Sequence, residues 1–181
     1  DAKFILSGLE SAFTQKNIET AALFVHLGYI FGFDQTHVDI LNELLLETWH
    51  KEHENIAFVL GELRSPSSVD FLYNAALMKL PYLEDDDSYN LVERCIYALW
   101  KIWTPYAKEK LLALANEANP AIAANVNAFI NGITDLHKLD TYYTVPRSDS
   151  SSFFLDTAGK PPLLGKDKWR NSFINAPLVY A

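Results

Sequence analysis

Apolar residues recur at helical spacing along the first three quarters of this chain. Ile56, Val59, Leu60 and Leu63 follow one another at intervals of one to four residues, and residues 69–77 repeat the pattern. Such spacing places the apolar side chains on one face of an α-helix. A weaker pattern of the same kind predicts a pair of helices at about residues 17–47, and a short capping helix is expected at 4–13. The pattern therefore predicts an all-α fold.

The paired helices also repeat along the chain. Matching positions lie about 39 residues apart, namely Leu60 and Leu99, Ser65-Pro66 and Thr104-Pro105, and Leu72 and Leu111. Two-helix repeats have periods in this range, and each repeat buries its apolar face only by stacking on its neighbours. We therefore expect residues 1–131 to form a short α-solenoid. Its parts are a degenerate first hairpin at about 17–47, repeats at about 49–80 and 88–117, and a half repeat at 119–131.

Three helix starts are marked by a small polar residue directly before proline, at Ser65, Thr104 and Asn119. The polar side chain can accept a hydrogen bond from the first turn, and proline suits the first helical position. Helices are therefore predicted to begin at residues 66, 105 and 120. Beyond residue 131 the periodicity stops. Residues 132–181 are expected to form a loop-like extension that packs on the solenoid, because they are too rich in aromatic residues for a solvated linker.

The charge of the chain narrows its possible partners. The net charge is −8, and residues 1–131 carry 9 basic and 18 acidic side chains. A negative surface repels phosphates and attracts basic proteins, so we expect a protein partner and no nucleic acid.

The single cysteine, Cys95, excludes an internal disulfide, suits the cytoplasm and is expected to be a buried, inert thiol. The apolar run at residues 21–33 is shorter than a membrane span, so no membrane association is expected and a buried helix is predicted.

Two clusters of polar residues are candidates for partner binding. One is the run of four acids from Glu84 through Asp85 and Asp86 to Asp87. The other contains Glu47, His50, His53 and Glu54, which can share one side of a helix junction. Solvated charge and helix capping are the simpler explanation for the acids.

His50 and His53 are also weak candidates for metal ligands. The simpler interpretation is that they form a polar junction between helices and cap neighbouring carbonyls. His37 is expected at an ordinary surface position in the turn after Asp34. Trp49, Trp100 and Trp103 are expected in the core.

Two segments, LGELRSPSSVDFL at residues 60–72 and ALWKIWTPYAKEKLLALANEANP at residues 98–120, resemble HEAT repeats of the short bacterial kind. The resemblance covers residues 49–130 and extends more weakly to about residue 20. It implies a curved α-solenoid. In that family the second helix of each pair usually lines the concave face, here at about 36–48, 66–80 and 105–117.

A narrower resemblance rests on Trp49-His50-x-x-His53-Glu54-x-Ile56, on Lys79-x-Pro81-Tyr82-Leu83, and on Arg94-Cys95-Ile96-x-Ala98-Leu99. These motifs are similar to those of small bacterial HEAT proteins found beside polymorphic or contact-dependent toxins. The resemblance implies an immunity protein, which occludes a cognate toxin domain and needs no cofactor. The expected partner is a basic, nuclease-like toxin domain.

Enzymatic alternatives rest on fewer residues. His53-Glu54 resembles the His-Glu pairs of deoxyhypusine hydroxylase, an iron-dependent HEAT enzyme, but the equivalent position in the next repeat is Val92-Glu93. A di-iron centre needs ligands from both sides of the metals, so half of the centre is missing. A chromophore lyase of the bilin-lyase kind and a general interaction scaffold remain open as alternatives. No catalytic residues are predicted.

Overall fold

The computed structural model of this chain describes residues 2–83 and 90–135, with side chains up to residue 129. Eight helices lie in these ranges: α1 Ala2–Gln15, α2 Ile18–Phe31, α3 Val38–Leu45, α4 His53–Leu63, α5 Val69–Leu77, α6 Asn90–Ile102, α7 Pro105–Ala115 and α8 Pro120–Asp135. Short 3-10 turns at Gln35–His37, Pro66–Ser68 and Pro81–Leu83 accompany them. The described ranges contain no strand, so the all-α prediction is confirmed. The predicted tail contacts and the acids Glu84, Asp85, Asp86 and Asp87 lie outside them.

The chain divides into two compact units, Asp1–Asn131 and Gly132–Ala181. In the first unit, α4 packs most extensively against α6. Helix α3 contacts α1 on one side and α5 on the other, and α5 also contacts α7. The chain neighbours α1 and α2, α3 and α4, and α6 and α7 pack on each other as well. Helices α4 and α6 thus each pack on the helix that precedes them in the chain. None of the described helices combines the length and apolarity that crossing a membrane requires.

Positions that are 39 residues apart have matching environments. Leu60 and Leu99 are both completely buried, and Leu72 and Leu111 are both in the core. Arg64 and Trp103, which end α4 and α6, share the same left-handed backbone conformation with φ of 54°. Because a left-handed residue ends a helix by turning the chain sharply, the two helix pairs reverse direction in the same way.

The predicted helix starts are correct in position and partly wrong in mechanism. Thr104 caps α7 by accepting a hydrogen bond from the Ala107 N–H at 3.1 Å, and Asn119 accepts one from the Ala121 N–H at 3.0 Å. Ser65 makes no such bond. Its hydroxyl contacts that of Ser67 instead, and Pro66 opens a 3-10 turn before α5 begins.

Three predictions about burial are wrong. His37 does follow Asp34 as expected, but its imidazole is buried: it completes a capping box with Asp34 and its Nε2–H donates to the Ala2 carbonyl at 3.0 Å. Trp100 is in the core as predicted, whereas Trp103 is 44% exposed. The apolar run at residues 21–33 does form a helix, but one side of α2 faces solvent because no described element packs on that side.

The backbones of α4 and α6 approach each other closely at Gly61. A Cβ built on Gly61 would stand 2.8 Å from the Ala98 Cα, which is shorter than any real contact of this kind. The two helices therefore pack at a distance that only a residue without a side chain allows at this position. Cys95 lies in the same layer, where burial raises the pKa of its thiol, and the prediction of a buried, inert thiol is confirmed.

Candidate functional site: a histidine junction and its carboxylates

The connection between α3 and α4 brings the predicted residues Glu47, His50, His53 and Glu54 close together. Helix α3 ends at Leu45, and its last carbonyls lack partners within the helix. The His50 Nε2–H donates to the Leu44 carbonyl at 2.8 Å, and the His53 Nε2–H donates to the Glu47 carbonyl at 2.6 Å. The prediction that these histidines cap neighbouring carbonyls is therefore confirmed. We call this cluster the histidine junction.

The remaining ring nitrogens are also engaged. Because Nε2 of each imidazole donates to a carbonyl, Nδ1 of the neutral ring must accept. His50 Nδ1 accepts from the Glu52 N–H at 3.0 Å, and His53 Nδ1 accepts from the Tyr82 hydroxyl at 2.8 Å. The two rings stack with their centroids 4.4 Å apart. Hydrogen bonds thus use all four nitrogens and fix both tautomers.

Burial keeps both imidazoles uncharged near pH 7. It lowers the pKa of His50, and burial together with the neighbouring His50 lowers the pKa of His53 to about 4. Burial, assisted by Glu54 and Glu52, raises the pKa of the Tyr82 hydroxyl, which therefore remains a donor. The junction consequently contributes no positive charge to oppose the carboxylates around it.

The imidazoles of His50 and His53 do not form part of the surface. Both residues are buried, so the interpretation of these two histidines as direct partner contacts is wrong for this conformation. Glu47 and Glu54 are half-buried, with part of each side chain open to solvent, and remain candidates. The histidines instead hold the connection that carries Glu47 and the first turn of α4, which carries Glu54. His50 ties this connection to the end of α3, and His53 ties it to Tyr82.

Two residues of the junction were missed by the sequence reasoning. Glu52 precedes α4 and accepts a hydrogen bond from the Asn55 side-chain amide at 2.7 Å. Tyr82 lies in the 3-10 turn Pro81–Leu83, and the acids Glu84 to Asp87 follow that turn in the sequence. Glu52 could have been found as an acid at a helix start, where the dipole favours it. Tyr82 had no local signal, because its partner lies 29 residues away.

The junction lacks the features of a metal site. In the described ranges no three or more His, Cys, Asp or Glu side chains are grouped so that they could hold a metal ion. A metal takes the lone pair of a neutral imidazole, and at His50 and His53 that lone pair already accepts a hydrogen bond. Metal binding by these weak candidates would require breaking the bonds that order the loop.

A second polar feature runs across the even-numbered helices. The rings of Tyr29, Phe58 and Tyr97 stack in sequence, with centroids 6.4 and 6.2 Å apart. The Tyr29 hydroxyl donates to the Asn55 carbonyl at 2.8 Å, which joins α2 to α4. The Arg94 guanidinium lies 5.7 Å from the Phe58 ring centroid. This row joins α2, α4 and α6, and the 39-residue spacing of Phe58 and Tyr97 could have indicated the part between α4 and α6.

Charged side chains form hydrogen bonds and an ion pair beside this row of rings. Glu62 accepts hydrogen bonds from the Tyr97 hydroxyl at 3.2 Å and from Lys101, whose Nζ lies 3.0 Å from Oε1. Burial, together with the nearby Glu62, raises the pKa of the Tyr97 hydroxyl. The row is therefore a structural polar network as well as a packing surface.

Comparison with known proteins gives no relative for this chain. No family model matches it, and no curated protein and no solved structure is significantly similar to it. Interpretation of the site therefore depends on its own geometry and charge.

Proposed function

We propose that this chain is a HEAT-like α-solenoid that binds a basic protein and catalyses no reaction. The solenoid is supported by the order in which helices contact one another, with α1, α3, α5 and α7 in one row and α4 against α6 in the other. It is also supported by the equal turns after Arg64 and Trp103. Stacked repeats of this kind provide extended surfaces for other proteins.

The histidine junction is the proposed centre of the binding surface. Glu47, Glu52 and Glu54 surround two imidazoles that stay neutral at pH 7, so the imidazoles add no positive charge there. The Lys16 ammonium lies 3.7 Å from the Glu47 carboxylate, and solvent screens this partly exposed ion pair. The Tyr82 hydrogen bond ties the chain to His53 two residues before the acids Glu84 to Asp87. We infer that the two acidic groups act together on one partner. The observation that carries this proposal is the buried, uncharged histidine pair among half-buried carboxylates.

The most fitting partner is a nuclease-like toxin domain, with this chain as its immunity protein in the cytoplasm. A nuclease must keep positive charge where it holds phosphates. An acidic surface can occupy that site in place of nucleic acid, and the opposite charges increase the association rate. The net charge of −8 is consistent with such a role.

Metal-dependent catalysis at the same junction fits the geometry less well. All four ring nitrogens of His50 and His53 make hydrogen bonds within the protein. A loop organised in this way is suited to holding carboxylates in place, because its order does not depend on any added ion.

Co-expression with the product of the neighbouring gene tests the proposal. The variant replaces Glu84, Asp85, Asp86 and Asp87 by Ser. The matched control replaces Glu10, Glu19, Asp39 and Glu109 by Ser, which changes the net charge equally at exposed positions away from the junction. We expect the wild-type chain and the control to co-purify with the partner and restore growth, and the variant at Glu84 to Asp87 to do neither. Equal loss in both variants would show that only total charge matters.

A further inference from the structure

Helix α2 presents an apolar stripe to solvent at the end of the helix row. Leu23 is 53% exposed, Ile30 58% and Phe31 63%, with Leu27 half-buried between them. Leu27, Ile30 and Phe31 lie four, seven and eight positions after Leu23. At this spacing the four side chains form one continuous stripe about 12 Å long. We call it the α2 stripe.

The stripe lies on the side of α2 that faces away from its described neighbours. The Tyr29 ring stacks on Phe58 of α4, and the Phe24 ring meets Phe4 of α1 at a centroid distance of 5.2 Å. Apart from Glu19 and His26, the exposed side chains of α2 are apolar. A continuous exposed apolar patch of this kind normally marks a surface on which another surface packs.

The charge distribution favours one occupant. Glu19 is the single formally charged residue of α2, whereas residues 1–131 as a whole carry 9 basic and 18 acidic side chains. A basic partner would find almost no carboxylates to pair with on this stripe. Two copies of this chain carry net charge of the same sign and repel each other, and the stripe adds few charges to that repulsion.

We propose that the α2 stripe is a self-association surface, on which α2 of a second copy packs. A two-fold axis through the middle of α2 makes the contact self-complementary, since Leu23 and Ile30 of one copy meet the same stripe of the other. Leu23, Ile30, Phe31 and the neighbouring Phe4 each expose on the order of 100 Å². The two copies together then bury roughly 800 Å² of apolar side chain, which is less than a standard interface buries. We therefore expect a weak dimer, with a dissociation constant on the order of micromolar.

Sedimentation equilibrium of the purified chain from about 5 to about 500 µM tests the proposal, since this range brackets a micromolar dissociation constant. We expect a reversible monomer–dimer equilibrium. Its dissociation constant should fall as salt screens the repulsion between copies. Replacing Leu23 and Ile30 together by Glu should weaken dimerisation at least about ten-fold. The matched control is Leu112→Glu on α7, because Leu112 has the same 58% exposure as Ile30. It should dimerise like wild type.

Cysteine cross-linking provides a second measurement that does not depend on the stability of the Glu variant. Cys95 is the only cysteine and is buried, so an introduced surface thiol reacts alone. Under mild oxidation Leu27→Cys should form a disulfide-linked dimer, and Leu112→Cys should not. A monomer at every concentration, equal cross-linking of both cysteines, or equal weakening by Leu112→Glu would each overturn the proposal. None of these outcomes depends on the basic partner.

Discussion

Glu62 of α4 and Lys101 of α6 occupy equivalent positions, 39 residues apart, and bind each other directly. The Lys101 Nζ lies 3.0 Å from Oε1 and 3.3 Å from Oε2 of Glu62. Lys101 is only 1% exposed, and its Nζ also lies 5.6 Å from the Tyr97 ring centroid. A charge this deeply buried requires an opposite charge, so the pair fixes how the two helices align.

Removing Glu62 should destabilise the fold more than removing Lys101. Glu62→Ala leaves the Lys101 ammonium buried without its carboxylate and should lower the free energy of unfolding by about 3 kcal/mol. Lys101→Met should cost less, because methionine packs well and Glu62 can reach solvent. Urea unfolding of both single variants and the double variant gives the coupling free energy between Glu62 and Lys101. The surface pair Asp70 and Lys110 is the control and should show a smaller coupling. Equal coupling in both pairs would contradict this account.

The close contact at Gly61 predicts intolerance of even a methyl group. Gly61→Ala places a Cβ against the Ala98 backbone and should lower the free energy of unfolding by about 1–3 kcal/mol, although alanine favours helix. Ala98→Gly should not rescue it, since the clashing Cα remains. Gly8→Ala is the comparison, because its Cβ would meet the Phe24 side chain, which can move. Thermal unfolding of these variants measures the difference, and a stabilised Gly61→Ala variant would refute the close packing.

Arg64 predicts the opposite result for a change to glycine. Its left-handed backbone, with φ of 54°, is unfavourable for a side chain, and its Nη1 is buried without a hydrogen-bond partner among the described residues. Arg64→Gly should therefore raise the free energy of unfolding by about 0.5–1 kcal/mol. Trp103→Gly relieves the same strain but loses the contact of Lys108 with the indole ring, at 4.1 Å, and should gain less. The urea midpoints of the two variants measure these changes in stability. A less stable Arg64→Gly variant would contradict the strain argument.

The histidine junction predicts a loss of stability on mild acidification. Burial lowers the pKa of His53 to about 4 in the folded chain, whereas an unfolded histidine titrates near its ordinary value of 6.5. The unfolded chain therefore binds more protons between these values, so stability falls as the pH drops from about 6.5 to about 4. His53→Gln, which keeps an amide donor and acceptor, should reduce the slope of unfolding free energy against pH. His26→Gln is the control for losing an exposed imidazole. An unchanged slope in His53→Gln would contradict the burial argument.

Local signals in the sequence were sufficient for the helices and for two of the three predicted caps. Thr104 and Asn119 were predicted correctly because a cap bonds to residues two or three positions away. His37 was misplaced because its burial depends on the Ala2 carbonyl, 35 residues away. The periodicity of residues 21–33 predicted a helix but not which neighbours it has, since an apolar residue looks the same in sequence whether or not a helix covers it.

The candidate site was predicted in part for the same reason. Glu47, His50, His53 and Glu54 were grouped correctly because they lie within one short connection. That the imidazoles are inside and only the carboxylates reach solvent depends on Leu44 and Tyr82, whose hydrogen bonds to His50 and His53 no spacing rule specifies.

Titration calorimetry with the product of the neighbouring gene, at low and at moderate salt, tests the central claim that this chain binds a basic protein through its acidic residues, Glu84 to Asp87 among them. The account predicts tight binding by the wild-type chain that weakens steeply with salt. It also predicts much weaker, nearly salt-independent binding when Glu84, Asp85, Asp86 and Asp87 are replaced by Ser, and wild-type behaviour for the charge-matched control at Glu10, Glu19, Asp39 and Glu109. Wild-type binding with no salt dependence, or equal loss in the variant and the control, would contradict it.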